Sequence, residues 1–158
     1  TVLKREEVDV FTALNLAAEN LEDLLRERHV SVEISDRGRV CFPGDLEWTM
    51  EALMNLMKNC LEHSPAGGCI HCDYSENPLY VRILIRDEGE GFEREDIPHL
   101  FERFYRGKNA AEGSTGIGLA LSRAVFERQN GTLAAYNLLG DGGSVSGACF
   151  EVRVYGMD

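Results

Sequence analysis

The sequence has no excess of basic residues: lysine and arginine number 16 and aspartate and glutamate 27, so the formal net charge is −11. A nucleic-acid-binding face needs clustered cations that displace phosphate counterions, so we do not expect nucleic acid as a partner. No run of residues approaches the roughly eighteen apolar positions of a membrane-spanning helix. We therefore also expect no direct membrane contact.

Paired cysteines and a leader segment are missing as well. The five cysteines are odd in number and scattered, which is unlike a disulfide framework. The start has no signal-peptide pattern, so we predict a reduced, cytoplasmic protein. Thr1 stands where an initiator methionine would be, and we expect residues 1–158 to be a single domain of a longer chain.

Three nucleotide or metal motifs fail on their spacing. No phosphate-binding loop of the G-x-x-x-x-G-K-[ST] type occurs, and Gly113 to Gly118 reads G-x-x-G-x-G without a strand leading into it, unlike a dinucleotide fingerprint. Cys69 and Cys72 form a C-x-x-C pair, but no second pair follows. A strand also points residues three apart to opposite faces, so we interpret them as buried thiols and not as a metal site.

Apolar spacing predicts an alternation of helices and strands. Helices are expected over residues 10–28 after an Asp9 cap, over 46–60 after an Asp45 cap and over 117–129, with Gly131 as a left-handed stop. A short helix is expected over 94–101. Strands are expected over 30–34, 39–42, 69–74, 79–86, 132–137 and 148–154. This order predicts an α+β fold in which helices cover one sheet.

Two polar patterns are candidates for chemistry. Asn55, Asn59 and His63 recur every four residues and so share one helical face, which is either a solvated face or a set of ligands for a hard cation such as magnesium. Asp87 ends an apolar strand just before Gly89 and Gly91. It is either a turn former or an acceptor for an exocyclic amine that the glycines allow to approach.

Two later segments add to these patterns. Leu100 to Lys108 alternates aromatic and basic residues, with Phe101 and Phe104 expected in the core, and its cations Arg106 and Lys108 could reach a terminal phosphate. The glycines from Gly113 to Gly118 open a helix, whose free N–H groups and dipole favour an anion. Each segment alone also fits an ordinary loop.

The order of the four motifs resembles the ATP-binding catalytic domain of bacterial sensor histidine kinases, over about Phe11 to Val154. The matching segments are an asparagine box at Asn55–Asn59, a first glycine box at Asp87–Phe92, a phenylalanine box at Leu100–Arg106 and a second glycine box at Ser114–Leu119. The resemblance implies the Bergerat fold, a two-layer sandwich of a mixed sheet and three helices with a mobile lid over ATP.

The resemblance also implies roles for single residues. Asn59 would bind Mg²⁺, Asn55 would assist the phosphates, and Asp87 would hold the adenine amine between Gly89 and Gly91. Asn55 and Arg106 would serve catalysis, the arginine near the γ-phosphate. Further nucleotide contacts would come from Glu62, His63, Leu100, Tyr105, Lys108, Ser114, Thr115, Gly116, Ile117, Gly118 and Leu119.

One position departs from the family pattern. The family often has lysine three residues after the magnesium asparagine, where this chain has Glu62. A carboxylate there repels ATP, and His63 or Lys108 could replace part of the lysine's role. Because both the domain and ATP are negatively charged, we expect binding to require Mg²⁺.

Asn55 helps to distinguish phosphoryl transfer from ATP hydrolysis. ATPases of the same superfamily carry a water-polarising glutamate four residues before the metal asparagine, and an amide cannot act as a general base. The resemblance implies phosphoryl transfer to a histidine on a separate dimerisation domain upstream of Thr1, in a membrane-anchored sensor kinase that serves a downstream response regulator. The alternatives are an ATPase, a serine kinase acting on an anti-sigma-type partner, and a degenerate nucleotide-binding module.

Overall fold

The computed structural model describes residues 2–105 and 117–156. Within these ranges the chain forms seven strands and four α-helices. In chain order they are β1 (Glu6–Asp9), α1 (Val10–Asn20), α2 (Glu22–Arg28), β2 (Ser31–Ile34), β3 (Cys41–Gly44), α3 (Leu46–Glu62), β4 (Cys69–Glu76), β5 (Tyr80–Arg86), α4 (Gly118–Glu127), β6 (Gly131–Leu139) and β7 (Val145–Tyr155).

A mixed sheet of five strands in the order β2-β4-β5-β7-β6 forms one layer. Strands β2 and β4 are parallel, and the other neighbours are antiparallel. Strands β1 and β3 pair separately as a two-stranded sheet. Helices α1, α3 and α4 bury their apolar stripes against one face of the five-stranded sheet, which confirms the predicted two-layer α+β sandwich. None of the described helices is long and apolar enough for a membrane span.

Helix α3 lies between α1 and α4 in the helical layer and packs against both. Its apolar stripe of Leu53, Met57 and Cys60 is fully buried, as its three-four spacing predicts. The face that carries Asn55 and Asn59 is half-buried beside it. The helix therefore anchors the fold on one side and presents polar groups on the other.

Three polar contacts fix α4 and the turn after it against α3. The Ser122 hydroxyl donates to the Ala52 carbonyl at 2.9 Å, and the backbone N–H of Asp45 donates to Gln129 Oε1 at 2.6 Å. The amide of Gln129 in turn donates to Thr49 Oγ1 at 3.2 Å. Buried hydrogen bonds of this kind resist sliding, since a shift leaves donors unpaired.

The N-terminal part differs from its predicted boundaries. The first helix is broken at Leu21 into α1 and α2, and β1 was not predicted because four residues offer too short a pattern. The predicted strand over residues 39–42 begins two residues later, in β3. The Asp9 cap is confirmed, since its carboxylate accepts the Thr12 N–H at 3.0 Å.

The end of α4 corrects a second prediction. The left-handed residue is Asn130, with φ of 63°, and not Gly131, which already begins β6. Asparagine tolerates this conformation better than most residues. Gly131 is needed for space, because a Cβ there would lie 2.9 Å from the Arg153 carbonyl oxygen and 3.0 Å from that of Phe126.

The middle of the chain holds two further corrections. The predicted helix over residues 94–101 is only a 3₁₀ turn at Ile97–His99, because Pro98 removes a donor that a longer helix would use. Phe101 packs against the core as predicted, whereas Phe104 is 63% exposed. The backbone of Phe104 is left-handed, with φ of 66°, and the side chain points away from the core.

Asp45 gives a direct test of how α3 is held. Its carboxylate accepts N–H bonds from Trp48 at 3.0 Å and Lys4 at 2.8 Å. Burial opposes its ionisation, but these bonds outweigh the burial and lower the pKa of Asp45. Its stabilisation is therefore present above the ordinary aspartate range and is lost as pH falls through the lowered value.

We expect Asp45→Ala to lower the free energy of unfolding by about 1–2 kcal/mol at neutral pH, the usual loss of an N-cap. Asp45→Asn keeps a capping oxygen and loses less. Urea unfolding followed by circular dichroism measures both, with Asp23→Ala on the exposed first turn of α2 as the control. Equal stability of Asp45→Ala and the unchanged protein would contradict this account of the cap.

Candidate nucleotide-binding site

Helix α3 supplies the first wall of the candidate site. Asn55, Asn59 and His63 lie on one half-buried face, one turn apart, as predicted. The side-chain oxygen of Asn59 is buried and has no hydrogen-bond partner among the described residues. A buried amide oxygen without a partner costs free energy, so this atom is suited to a ligand that supplies the missing interaction.

Asp87 forms the opposite side of the site, directly after β5. It is 1% exposed, and its Oδ1 accepts the N–H groups of Gly89 and Ala148, each at 3.0 Å. Its Oδ2 is buried and unpaired within the described part of the chain. The thiol of Cys60 faces this carboxyl but does not meet hydrogen-bond geometry with Oδ2.

The electrostatics of Asp87 follow from this half-satisfied state. Burial raises the pKa of the carboxyl above its ordinary value, although the two N–H donors and the nearby His63 act in the opposite direction. A carboxylate held in this way favours a donor at Oδ2. An exocyclic amine is a donor of the required kind.

Three glycines allow the chain to close around Asp87. A Cβ on Gly89 would overlap the carbonyl oxygen of His63, which brings the end of α3 against the first glycine box. A Cβ on Gly147 would overlap the carbonyl of Asp87. Gly91 has φ of 83° and leaves no room for a Cβ beside Asn137, whose side chain holds the backbone of Phe92 through two hydrogen bonds.

Gly147, Ala148 and Cys60 are contacts of Asp87 that motif reasoning did not find. Gly147 and Ala148 are distant in sequence and meet Asp87 only through the pairing of β5 with β7. The run of glycines from Gly140 to Gly147 is a weak signal for such a close approach. Cys60 was predicted only as a member of the apolar stripe of α3.

The start of α4 meets α3 at Asn55. A Cβ on Gly118 would lie 3.2 Å from Asn55 Oδ1, so only glycine allows this approach without displacing the asparagine. Ile117, before the helix, is 41% exposed, and Leu119 packs against the core. Within the described residues no side chain caps the first turn of α4. Its N–H groups are thus available to an anion.

Tyr105 and Leu100 lie in the segment between the glycine boxes. The Tyr105 hydroxyl donates to Asp96, which raises the pKa of Tyr105 to about 12, and its ring stacks on His99 with centroids 5.2 Å apart. Leu100 is half-buried at the end of the 3₁₀ turn. The predicted contacts at Arg106, Lys108, Ser114, Thr115 and Gly116, and the lid they belong to, lie outside the described residues.

Glu62 is the last residue of α3 and is half-buried, and His63 caps the helix. His63 is close enough to Asp87 to favour its ionised form. The end of α3 therefore carries one acidic and one basic group beside the candidate site.

The residues fit adenine and a hard cation. Asp87 Oδ2 and Asn59 Oδ1 are both buried acceptors without partners in the described residues, and Cys60, adjacent to Asn59 in sequence, faces Asp87. Neutral oxygen ligands suit magnesium, and an unpaired carboxylate oxygen suits an amine. The N-terminus of α4, which lies against Asn55, forms a further side of the candidate site.

Comparison with known proteins decides the family. Residues 44–155 match the family described as "Histidine kinase-, DNA gyrase B-, and HSP90-like ATPase". The chain belongs to this family. The match spans α3, both glycine boxes and the sheet from β4 to β7, so the resemblance inferred from the four ordered motifs is confirmed.

Similar proteins include a sensor protein and a histidine-protein kinase. Sensor protein SphS of Synechococcus elongatus is 32% identical over 143 residues, which cover 85% of this chain and 35% of SphS. The histidine-protein kinase BaeS of Escherichia coli is 28% identical over 131 residues, 81% of this chain and 28% of BaeS. This chain thus spans about a third of such relatives.

The solved structure of the mycobacterial sensor histidine kinase MprB has the same fold. It superposes with a TM-score of 0.82 at 22% identity and covers 96% of this chain and 98% of the MprB chain. At this level of identity the likeness establishes the fold. It agrees with the mixed five-stranded sheet and its helical layer.

The buried Asp87 oxygen that has no partner in the described residues should lower the stability of the ligand-free protein. A native pKa raised by burial means that the Asp87 contribution to stability is present below the ordinary aspartate range and is lost as pH rises through the raised value. We therefore expect ligand-free Asp87→Asn to unfold at an equal or higher temperature at neutral pH. The gain should disappear in acid.

Thermal unfolding at neutral and acidic pH measures this effect. Asp73→Asn is the matched control, because Arg37 lowers the pKa of Asp73 and the same change should leave stability equal or lower. An Asp87→Asn variant that unfolds well below the unchanged protein at neutral pH would mean that the fold itself compensates the buried charge.

Proposed function

We propose that this chain binds Mg²⁺-ATP and transfers the γ-phosphoryl group to a histidine on a separate domain in two-component signalling. The observation that carries the proposal is a pair of buried oxygens, Asp87 Oδ2 and Asn59 Oδ1, for which residues 2–105 and 117–156 supply no hydrogen-bond partner. The adenine amine satisfies the first, and Mg²⁺ satisfies the second. Family membership supports the same assignment.

The proposed roles follow the two walls of the site. Asp87 selects the base, and Gly89 and Gly91 keep side chains away from it. Asn59 holds Mg²⁺, which when bound neutralises phosphate charge. Asn55 and the first N–H groups of α4 face the phosphates, since Gly118 brings that helix end to Asn55. The role proposed for Arg106 is catalytic, near the γ-phosphate, and it is based on the family resemblance alone.

Asn55 favours transfer over hydrolysis. A neutral amide cannot take a proton from water at neutral pH, whereas transfer to an external nucleophile needs mainly positioning and charge stabilisation. The acceptor is then the histidine of a dimerisation domain in the same kinase, and the response regulator takes the phosphoryl group next. We propose that residues 1–158 form a cytoplasmic domain of a longer chain, which carries the remaining parts of the kinase.

Nucleotide binding is the first test of this proposal. A fluorescent ATP analogue titrated with Mg²⁺ and again with EDTA should bind only with the metal. Asn59→Ala should weaken binding about ten- to a hundredfold, the cost of one charge-assisted interaction. Asn20→Ala, which removes an exposed amide at the end of α1, should leave the affinity unchanged. Binding that survives both EDTA and Asn59→Ala would contradict the metal role.

Phosphoryl transfer is tested separately. The chain is incubated with γ-labelled ATP and the histidine domain of its own kinase supplied in trans, and we expect acid-labile label on that domain with little free phosphate. Release of phosphate without labelled protein would identify an ATPase. Binding without transfer or hydrolysis would identify a regulatory nucleotide-binding module and contradict the kinase assignment.

Glu62 predicts a gain of affinity on mutation. Glu62→Lys replaces a carboxylate at the end of α3 by the cation that the family often has there, so we expect ATP to bind about three- to tenfold more tightly at low salt. The gain should shrink as salt screens the charge. Glu27→Lys makes the same charge change on the exposed α2 and should have little effect. Equal affinities of the two variants would show that Glu62 does not face the phosphates.

A further inference from the structure

A second cluster of ligating side chains, none of which is assigned to the nucleotide site, lies on the face of the sheet opposite the helices. In the parallel pair of β2 and β4, Glu33 lies beside His71 in register. Cys69 lies two residues before His71 and so on the same face. The intervening Ile70 is fully buried on the core side. The three side chains therefore meet at the edge of the sheet, half-buried or exposed.

The distances suit a single small cation. One oxygen of Glu33, the Cys69 sulfur and a ring nitrogen of His71 all lie within 4.8 Å of one another. The Glu33 Oε2–His71 Nδ1 distance is 3.3 Å. Bond lengths of about 2.0–2.3 Å to a tetrahedral zinc ion place its ligand atoms about 3.3–3.8 Å apart. The exposed Glu33 side chain can rotate to shorten the longer separations.

Glu88 fixes the orientation of the histidine. Its Oε2 lies 3.0 Å from His71 Nε2, and its Oε1 accepts the Cys69 N–H at 3.1 Å. With a proton on Nε2 that the Glu88 carboxylate accepts, Nδ1 would be the ring nitrogen that binds a metal. Such a carboxylate–histidine pair commonly supports a metal-bound imidazole.

His71 Nδ1 lies 3.3 Å from the Glu33 carboxylate, and the Cys69 sulfur lies within 4.8 Å of a His71 ring nitrogen and of a Glu33 oxygen. A cation held among these atoms would be bonded by all three side chains. A thiolate, an imidazole and a carboxylate together are the donor set of zinc, whereas magnesium and calcium prefer oxygen alone.

We propose that Glu33, Cys69 and His71 bind a zinc ion, with Glu88 as the positioning residue of His71. The Cys69 thiol releases its proton to solvent when its sulfur bonds to the metal, and three protein ligands leave a fourth position open to water. Cys72 takes no part, because it is 1% exposed on the core side. The site is thus not the C-x-x-C pattern of the sequence.

Metal binding by the untagged chain tests this proposal without nucleotide, so the result is independent of the ATP site. Zn²⁺ is titrated in competition with a chromophoric chelator, and Co²⁺ is titrated as a spectroscopic probe. We expect one equivalent of metal, with a thiolate-to-cobalt charge-transfer band in the near ultraviolet. Cys69→Ser should abolish the band, and His71→Ala should lower zinc affinity at least tenfold.

Two further variants separate this site from general thiol binding. Cys41→Ser is the matched control, since Cys41 is another half-buried strand cysteine beside a carboxylate, that of Asp9, at 3.8 Å; it should leave binding unchanged. Glu88→Gln should weaken zinc binding about ten- to a hundredfold, as loss of an outer-shell partner does. Thermal unfolding checks that each variant is folded. Absence of the cobalt band, or equal zinc affinity in the unchanged protein and His71→Ala, would overturn the proposal.

Discussion

The burial of Asp87, one of whose two oxygens has no hydrogen-bond partner in the described part of the chain, is the constraint around which the candidate site is arranged. Oδ1 joins the glycine box to β7 through the N–H groups of Gly89 and Ala148. Oδ2 is buried, and a buried charge without a partner costs stability. The protein bears this cost in the free state, and a ligand that donates to Oδ2 recovers it. In the proposed function, the same atom would select an amino-bearing base.

Helix α3 connects this carboxylate to the phosphate end of the site. Its buried stripe fixes the helix on the sheet, and its polar face carries Asn55 and Asn59 towards the start of α4. The contact of Gly118 with Asn55 and the buried bond from Ser122 to Ala52 hold the two helices together. The separation of Asn55 from Asn59 is therefore set by one turn of a helix. Such an arrangement needs little reorganisation on binding.

Local pattern and motif order were enough to predict the sandwich and the residues of the α3 wall, because helical spacing places Asn55 and Asn59 together without knowledge of the fold. Contacts that depend on strand pairing could not be predicted in this way. Gly147 reaches Asp87 only because β5 and β7 are neighbours, and the grouping of Glu33 with His71 requires the parallel pairing of β2 and β4. The four residues of β1 are too few for periodicity to be informative. The break between α1 and α2 at the single residue Leu21 leaves no signal in the apolar spacing.

The central claim, that Asp87 Oδ2 receives the amine of adenine, is tested most directly by comparing ATP with inosine triphosphate. The second nucleotide has an oxygen where adenine has the amine. The account predicts that the unchanged protein prefers ATP by about tenfold or more, and that Asp87→Asn, whose amide can donate, shifts the preference towards inosine triphosphate. The same ratio of affinities in both proteins would contradict it.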